Sequence, residues 1–400
     1  MFAKKHLILF PVLAMVLAVS ACGQAQGATG LPETNTGQQV LEEATALLSS
    51  EALSTEAVEA EADLSSWGQS SLATFSSDNS LLAVYGSGIT IYDSASFQQM
   101  AHLIPDENIN ILDLGFSLDN GSISAAYHDG FQNTYGVQTF DLITNSQVND
   151  VVVQSRGDNY QPLYMVELSP DGKTLAIYDD VEAILTLWDA VSGDELHSLN
   201  LYVYSLAFSP DGRTLAIGDF TGTNTYEMSL WDISSGEQTR SIDMLELYNG
   251  PARVGESVGG STVVNMRVAF SADGNILVVA ALYDYVNAGT YSVTLIDLGN
   301  GNELVNFDVS VSPDMAGDPL FALAFSNDGK LLATGSATEI KIWETASPQL
   351  VQTIDYAVEN NSYARYDLLF TPDNTKLMSS SEWNYQVILW DVSTGEQLAP

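Results

Sequence analysis

One phrase recurs seven times after residue 72: an apolar run closed by a large apolar residue, a short Ser-x-Asp turn, and a second apolar run. The turns read Phe75-Ser76-Ser77-Asp78-Asn79, Phe116-Ser117-Leu118-Asp119-Asn120, Leu168-Ser169-Pro170-Asp171-Gly172 and Phe208-Ser209-Pro210-Asp211-Gly212. Phe270-Ser271-Ala272-Asp273-Gly274, Phe325-Ser326-Asn327-Asp328-Gly329 and Phe370-Thr371-Pro372-Asp373-Asn374 complete the set. Each member has a local role. Pro pre-sets a turn dihedral, Asp bonds back to its own backbone, and Gly or Asn accepts positive φ. The flanking runs, such as Tyr204-Ser205-Leu206-Ala207-Phe208 and Thr214-Leu215-Ala216-Ile217, have the apolar density of buried strands.

A third run follows in every unit and ends in a large apolar residue before an acid: Tyr92-Asp93, Phe140-Asp141, Trp188-Asp189, Trp231-Asp232, Ile296-Asp297, Trp343-Glu344 and Trp390-Asp391. Ser-Gly-Glu-like turns come next, as at 192–194, 235–237 and 394–396, and then a more polar fourth run such as 195–199. Four short strands cannot bury both faces of their sheet alone, so the units must stack, and a closed ring leaves the fewest exposed sheet edges. The expected fold is all-β: a seven-bladed β-propeller of four-stranded antiparallel blades.

This pattern resembles WD40 repeats over about residues 65–400, with Trp188, Asp189, Trp231, Asp232, Trp343, Trp390 and Asp391 in structural places. The Gly-His pair of that family is missing, and His102, His128 and His197 fall at unlike positions in their units. The family's His–Ser–Trp–Asp hydrogen-bond network is therefore incomplete, and the blade edges are expected to rest on apolar packing. The last unit reaches Asp391 with little chain left for an outer strand. A segment within 46–64 is expected to close the ring as a strand, its alternative being a helix.

The first residues read as an export signal. Lys4 and Lys5 precede an apolar stretch, 7–19, too short to span a bilayer. Val19-Ser20-Ala21-Cys22 resembles the lipobox of bacterial lipoproteins, which implies lipidation of Cys22, the sole cysteine. The expected organisation is a signal peptide at 1–21, a flexible tether at 22–45 and the propeller at 46–400. The expected location is the outer face of a bacterial cell membrane, held by acyl chains on Cys22.

Charge narrows the partners. Twelve Lys and Arg stand against fifty-one Asp and Glu, a formal net of -39, while charged residues make up only 16%. Such a surface repels nucleic acid and anionic headgroups and favours cations, basic proteins or neutral glycans. A monomer recognising a protein or a glycan is expected.

Successive turns are spaced unevenly, by 40 to 62 residues, yet the Ser-x-Asp and Ser-Gly-Glu turns stay short. Growth falls between second and third strands (128–136, 219–227, 282–291, 380–386) and between units (156–164, 243–265, 308–319, 355–366). Alternate connections share a face of the disc, so one face is plain and the other elaborated. Aromatics and lone arginines collect on the elaborated side, which nominates Arg156, Tyr160, Phe220, Tyr226, Tyr283, Tyr285, Tyr291, Tyr363, Arg365, Trp383 and Tyr385 as binding-face residues, beside Tyr127, Phe131 and Tyr135. The same rings would equally serve to cover the ends of the blades.

No nucleophile elbow, phosphate-binding Gly-rich loop or His-Glu-x-x-His pattern occurs. The recurring turn acids read as structural, because a catalytic acid need occur only once. No catalytic residue, metal ligand or cofactor is assigned. Calcium is the one ion the acids invite, where Asp179, Asp180 and Glu182 crowd together. The competing reading is a propeller enzyme of hydrolase or lactonase type, with carboxylates at the central channel.

Overall fold

The computed structural model describes residues 72–155, 165–220, 226–244, 263–283, 290–310, 322–336, 338–355, 366–381 and 386–399, all within one unit, 62–400. They form seven sheets of four antiparallel strands, each built from consecutive chain and containing no helix. The blades span 72–103, 109–155, 165–200, 202–243, 263–310, 322–355 and 366–399, and are numbered 1 to 7. First strands of neighbouring blades touch one another, so they line the axis. The expected propeller is the observed fold.

Burial follows position in the blade. The second strand of blade 3, Thr174–Asp179, is buried throughout, whereas its fourth, Glu195–Asn200, is largely exposed. Seven apolar clusters hold the ring, each drawn from two adjacent blades. The closing seam joins Leu82, Val84 and Tyr92 of blade 1 to Met378, Val387 and Leu389 of blade 7. The outer place in blade 7 is taken by Gln397–Ala399, paired with the third strand Gln386–Asp391. Gln397–Ala399 pairs with Leu389 and Trp390 only, and the segment 46–64, expected to close the ring, lies outside the described residues.

The turn chemistry repeats with the sequence. In all seven blades a Ser or Thr hydroxyl donates to the turn Asp Oδ1 at 2.6–2.8 Å. The residue after that Asp has positive φ every time, four times Gly and three times Asn. At the end of the third strand the acid accepts from the next turn: Asp189 Oδ1 from Val191 N at 2.8 Å and Ser192 N at 2.7 Å, and Asp391 Oδ1 from Ser393 N at 2.9 Å and Thr394 N at 2.8 Å. These acids are spent on backbone donors.

The blade edges depart from the expectation of apolar packing alone. Four outer strands send a polar side chain across the seam to a backbone carbonyl in the next blade. Asn149 Nδ2 donates to Val191 O at 3.0 Å, His197 Nε2 to Ile233 O at 2.9 Å, Arg240 Nη1 to Leu298 O at 2.9 Å and Gln352 Nε2 to Ser393 O at 3.3 Å. All four occupy one register position, opposite the residue before the third strand's closing aromatic or aliphatic residue. At that position blades 1, 5 and 7 carry Ala101, Val305 and Ala399, which have no donor to send. The receiving turn contains a positive-φ glycine in each latched seam, Gly193, Gly236, Gly301 or Gly395. The receiving turns at 94–98, 142–145 and 345–349 contain no glycine. At Gly236, Gly301 and Gly395 the latch side chain lies where a Cβ would project, whereas at Gly193 Val151 of the same outer strand as Asn149 occupies that place. An added Cβ at Gly236 would collide with the His197 ring, and one at Gly395 would sit 3.0 Å from Gln352 Nε2.

Candidate functional site

The two faces differ as the chain lengths require. On one face every connection between first and second strands is five residues long, and those between third and fourth strands are four or five. On the other, connections run from the single residue 201 to the nineteen of 244–262. A rigid sheet edge with loops of unequal length is a scaffold on which recognition surfaces can vary.

Described residues of the elaborated face include two turns of one design. Asp129 Oδ1 accepts from Phe131 N at 2.8 Å and Gln132 N at 3.0 Å. Asp179 Oδ1 accepts from Val181 N at 3.0 Å and Glu182 N at 3.1 Å. Each carboxylate caps its turn and leaves an apolar residue in solvent: Phe131 is 87% exposed and Val181 66%. Ile104 and Tyr202, at the ends of connections on the same face, are 72% and 57% exposed. Large apolar groups normally withdraw from water, and here both faces present them: these four on connections of blades 1 to 4, and Ile143, Val191 and Leu118, 86%, 61% and 55% exposed, on the uniform turns. Beneath them a polar network ties the connection 104–108 to blade 2. Gln138 Nε2 donates to Asp106 Oδ2 at 2.7 Å and Asp150 Oδ2 at 3.3 Å, and Tyr127 Oη donates to Asp150 Oδ1 at 2.9 Å. Burial and then Asp150 push the Tyr127 hydroxyl well above the usual phenol range.

Several aromatics nominated from sequence are core residues. Tyr226 lies in the apolar seam of blades 4 and 5, 5.0 Å from Phe220 and 5.8 Å from Tyr204 between ring centres, and burial lifts its hydroxyl to about 12. Tyr291 is fully buried between blades 5 and 6, and Tyr127 and Tyr135 are buried in the seams beside blade 2. Phe220 is half-buried on the cluster that holds Tyr226. These rings cover the blade ends. Arg156, Tyr160, Tyr285, Tyr363, Arg365, Trp383 and Tyr385, the Tyr283 side chain and Cys22 lie outside the described residues. The exposed Val181, Ile104 and Tyr202 were not singled out from sequence, since only a turn's direction distinguishes them from core residues.

The channel-lining strands carry few charges among the described residues: Asp113, Glu167, Arg267 and Asp367. Asp113 is committed to structure. Its Oδ1 accepts from Leu114 N at 2.8 Å and its Oδ2 from Leu168 N at 2.7 Å, which joins the first strands of blades 2 and 3. Arg267 Nη1 donates to Met266 O at 2.8 Å and Asn265 Oδ1 at 3.2 Å. Among the described residues no three of His, Cys, Asp or Glu are grouped to hold a metal ion, and Asp179 of the acidic run serves its turn. Nor is any described helix long and apolar enough to cross a membrane.

Architecture and repeats together define a seven-bladed β-propeller. Residues 193–224 and 315–344 match the family model described as "WD domain, G-beta repeat". Among solved structures, the chain is similar to the Cps50 (Swd1) β-propeller domain of Myceliophteria thermophila, at 17% identity and TM-score 0.55, covering 81% of this chain and 97% of that one. It is also similar to the hydrazine synthase of Kuenenia stuttgartiensis, at 15% identity and TM-score 0.54, covering 84% and 99%. At such identities the likeness is one of fold. No curated protein matches the chain.

Proposed function

We propose that this protein is a non-catalytic recognition module, held at the outer face of a bacterial cell membrane by lipid on Cys22, that binds a protein partner through its elaborated face. The observation that carries the reading is the contrast between faces. Acid-capped turns with an exposed apolar residue occur on both, but one face is closed throughout by connections of four or five residues, while the other varies from one to nineteen and adds Phe131 and Val181. Exposed apolar anchors beside carboxylates suit a partner that buries apolar area and brings basic groups to an acidic surface. Tethering rests on the run Val19-Ser20-Ala21-Cys22 after the apolar stretch.

The test is a pull-down from envelope extract with the wild-type chain beside two face variants. One carries Phe131→Ala, Val181→Ala and Tyr202→Ala, and the other carries Tyr283, Tyr285, Trp383 and Tyr385 all changed to Ala. Loss of a common partner by either, with an unchanged melting temperature, is the expected result. Full retention by both would refute recognition through this face. Cys22→Ser is expected to move the protein from the membrane to the soluble fraction.

A further inference from the structure

In three of the four tryptophan-bearing third strands the indole N–H is satisfied within the blade. Trp231 Nε1 donates to Ser229 Oγ at 2.9 Å, Trp343 Nε1 to Thr334 Oγ1 at 3.1 Å and Trp390 Nε1 to Ser379 Oγ at 2.9 Å. Trp188 Nε1, in blade 3, is buried and has no acceptor. The register gives the cause. Trp188, Trp343 and Trp390 stand opposite Leu175, Leu332 and Leu377, and the hydroxyls used in blades 6 and 7 lie two residues further along the second strand. In blade 3 that residue is Ile177. Across the seam, Gln154 Oε1 on the outer strand of blade 2 is likewise buried without a donor.

Both residues line one cavity of about 460 Å³ between blades 2 and 3. A buried donor and a buried acceptor left unmade cost stability, so a fold that keeps both beside one space has a reason to be sought in what fills it. The apolar wall is Val153, Ile177, Ile184 and the indole; Asp179, Glu182 and Glu195 bring negative charge, Thr186 and Ser198 bring hydroxyls, and no basic residue lines the space.

We propose that this seam cavity binds a neutral sugar residue. A group that both donates and accepts satisfies Gln154 Oε1 and Trp188 Nε1–H together; a water does this, and so do adjacent hydroxyls on one ring, which also fill the space and cover its apolar wall. An ammonium offers the indole no acceptor. A carboxylate or phosphate offers Gln154 no donor and meets the field of Glu182 and Glu195. The C–H face of a sugar fits an indole and aliphatic wall, and the volume is in the range of small-ligand sites. The site shares Asp179 and Glu182 with the turn that presents Val181, but its polar pair, Gln154 and Trp188, lies in the seam and does not depend on the elaborated face binding a protein.

The experiment uses the full chain with nitrogen-15 in its indoles, titrated with methyl glucoside, methyl galactoside and methyl N-acetylglucosaminide. The Trp188 signal is assigned by its loss in Trp188→Phe. At least one glycoside is expected to move that signal saturably, with a calorimetric Kd raised about tenfold in Trp188→Phe, the loss of one hydrogen bond. Ile177→Thr gives blade 3 the acceptor of blade 6 and is expected to weaken binding similarly. If Trp188→Phe fails to fold, Gln154→Leu gives the same comparison from the opposite wall. A Trp188 signal that stays fixed with all three glycosides up to their solubility overturns the proposal. So does a signal that moves with lysine amide or arginine amide and with no glycoside.

Discussion

Asp219 is the last residue but one of the second strand of blade 4, beneath the elaborated face, buried, with Ser229 Oγ donating to it at 3.2 Å and Glu227 opposite it in register. Burial pushes its pKa from 3.8 up to about 6, the Ser229 hydrogen bond draws it down, and the Glu227 charge pushes it up. The folded protein therefore holds this proton more tightly than the unfolded chain, and stability falls as pH rises from about 4 to about 6. Asp219→Asn is expected to stabilise the protein by about 1–3 kcal/mol at pH 7.5 and to change little at pH 4, measured by urea denaturation. Equal effects at both pH values would refute a buried ionised carboxylate. The turn acids act in the opposite sense. Asp328 is drawn down to about 2, first by the Lys330 ammonium and then by the Ser326 hydroxyl, so its contribution is present above its unfolded value and lost as pH falls through 2. Trp390, 5% exposed with its indole N–H bonded to Ser379, is expected to cost about 3–5 kcal/mol on truncation to Ala. The turn Asp and Ser residues were legible in sequence because their partners lie two residues away. Tyr226 and Tyr291 were not, because a tyrosine at the start of a third strand reads like a loop tyrosine until the neighbouring blade is placed against it.

At the scale of elements, the seams latched by Asn149, His197, Arg240 and Gln352 differ from the three without a latch. Gly236 and Gly329 make a matched pair: both have positive φ, +66° and +68°, but an added Cβ meets the His197 ring at Gly236 and nothing within 4 Å at Gly329. Alanine at either site should cost about 1 kcal/mol for the backbone alone. Gly236→Ala is expected to cost clearly more than Gly329→Ala, and the excess should shrink in the double variant with His197→Ala. Equal costs would mean that the latch does not press on the turn. The recurring Ser-Gly-Glu turn was visible in the sequence, but its reason was hidden. The latch partner lies 36 residues away for His197 and 58 for Arg240.

The whole molecule carries a net charge of -39, and self-repulsion on that scale loosens a compact state. Added salt is expected to raise the melting temperature steeply at low ionic strength and then level off, since exposed charges are screened within about 10 Å at 0.1 M. Magnesium and calcium at equal ionic strength should act alike. A calcium-specific gain would reveal a site that no described acid cluster provides.

The sequence by itself determined the number of blades, the four-strand unit and the chemistry of the turns. Those features depend on dihedral preferences and on hydrogen bonds that close within a few residues. Tertiary structure alone decided which aromatics enter the seams, which outer strands latch onto the next blade, and why Trp188 is left beside a cavity. Each of those outcomes depends on register and on the surface of an adjacent blade, so the identity of a residue does not fix its surroundings until the ring has closed.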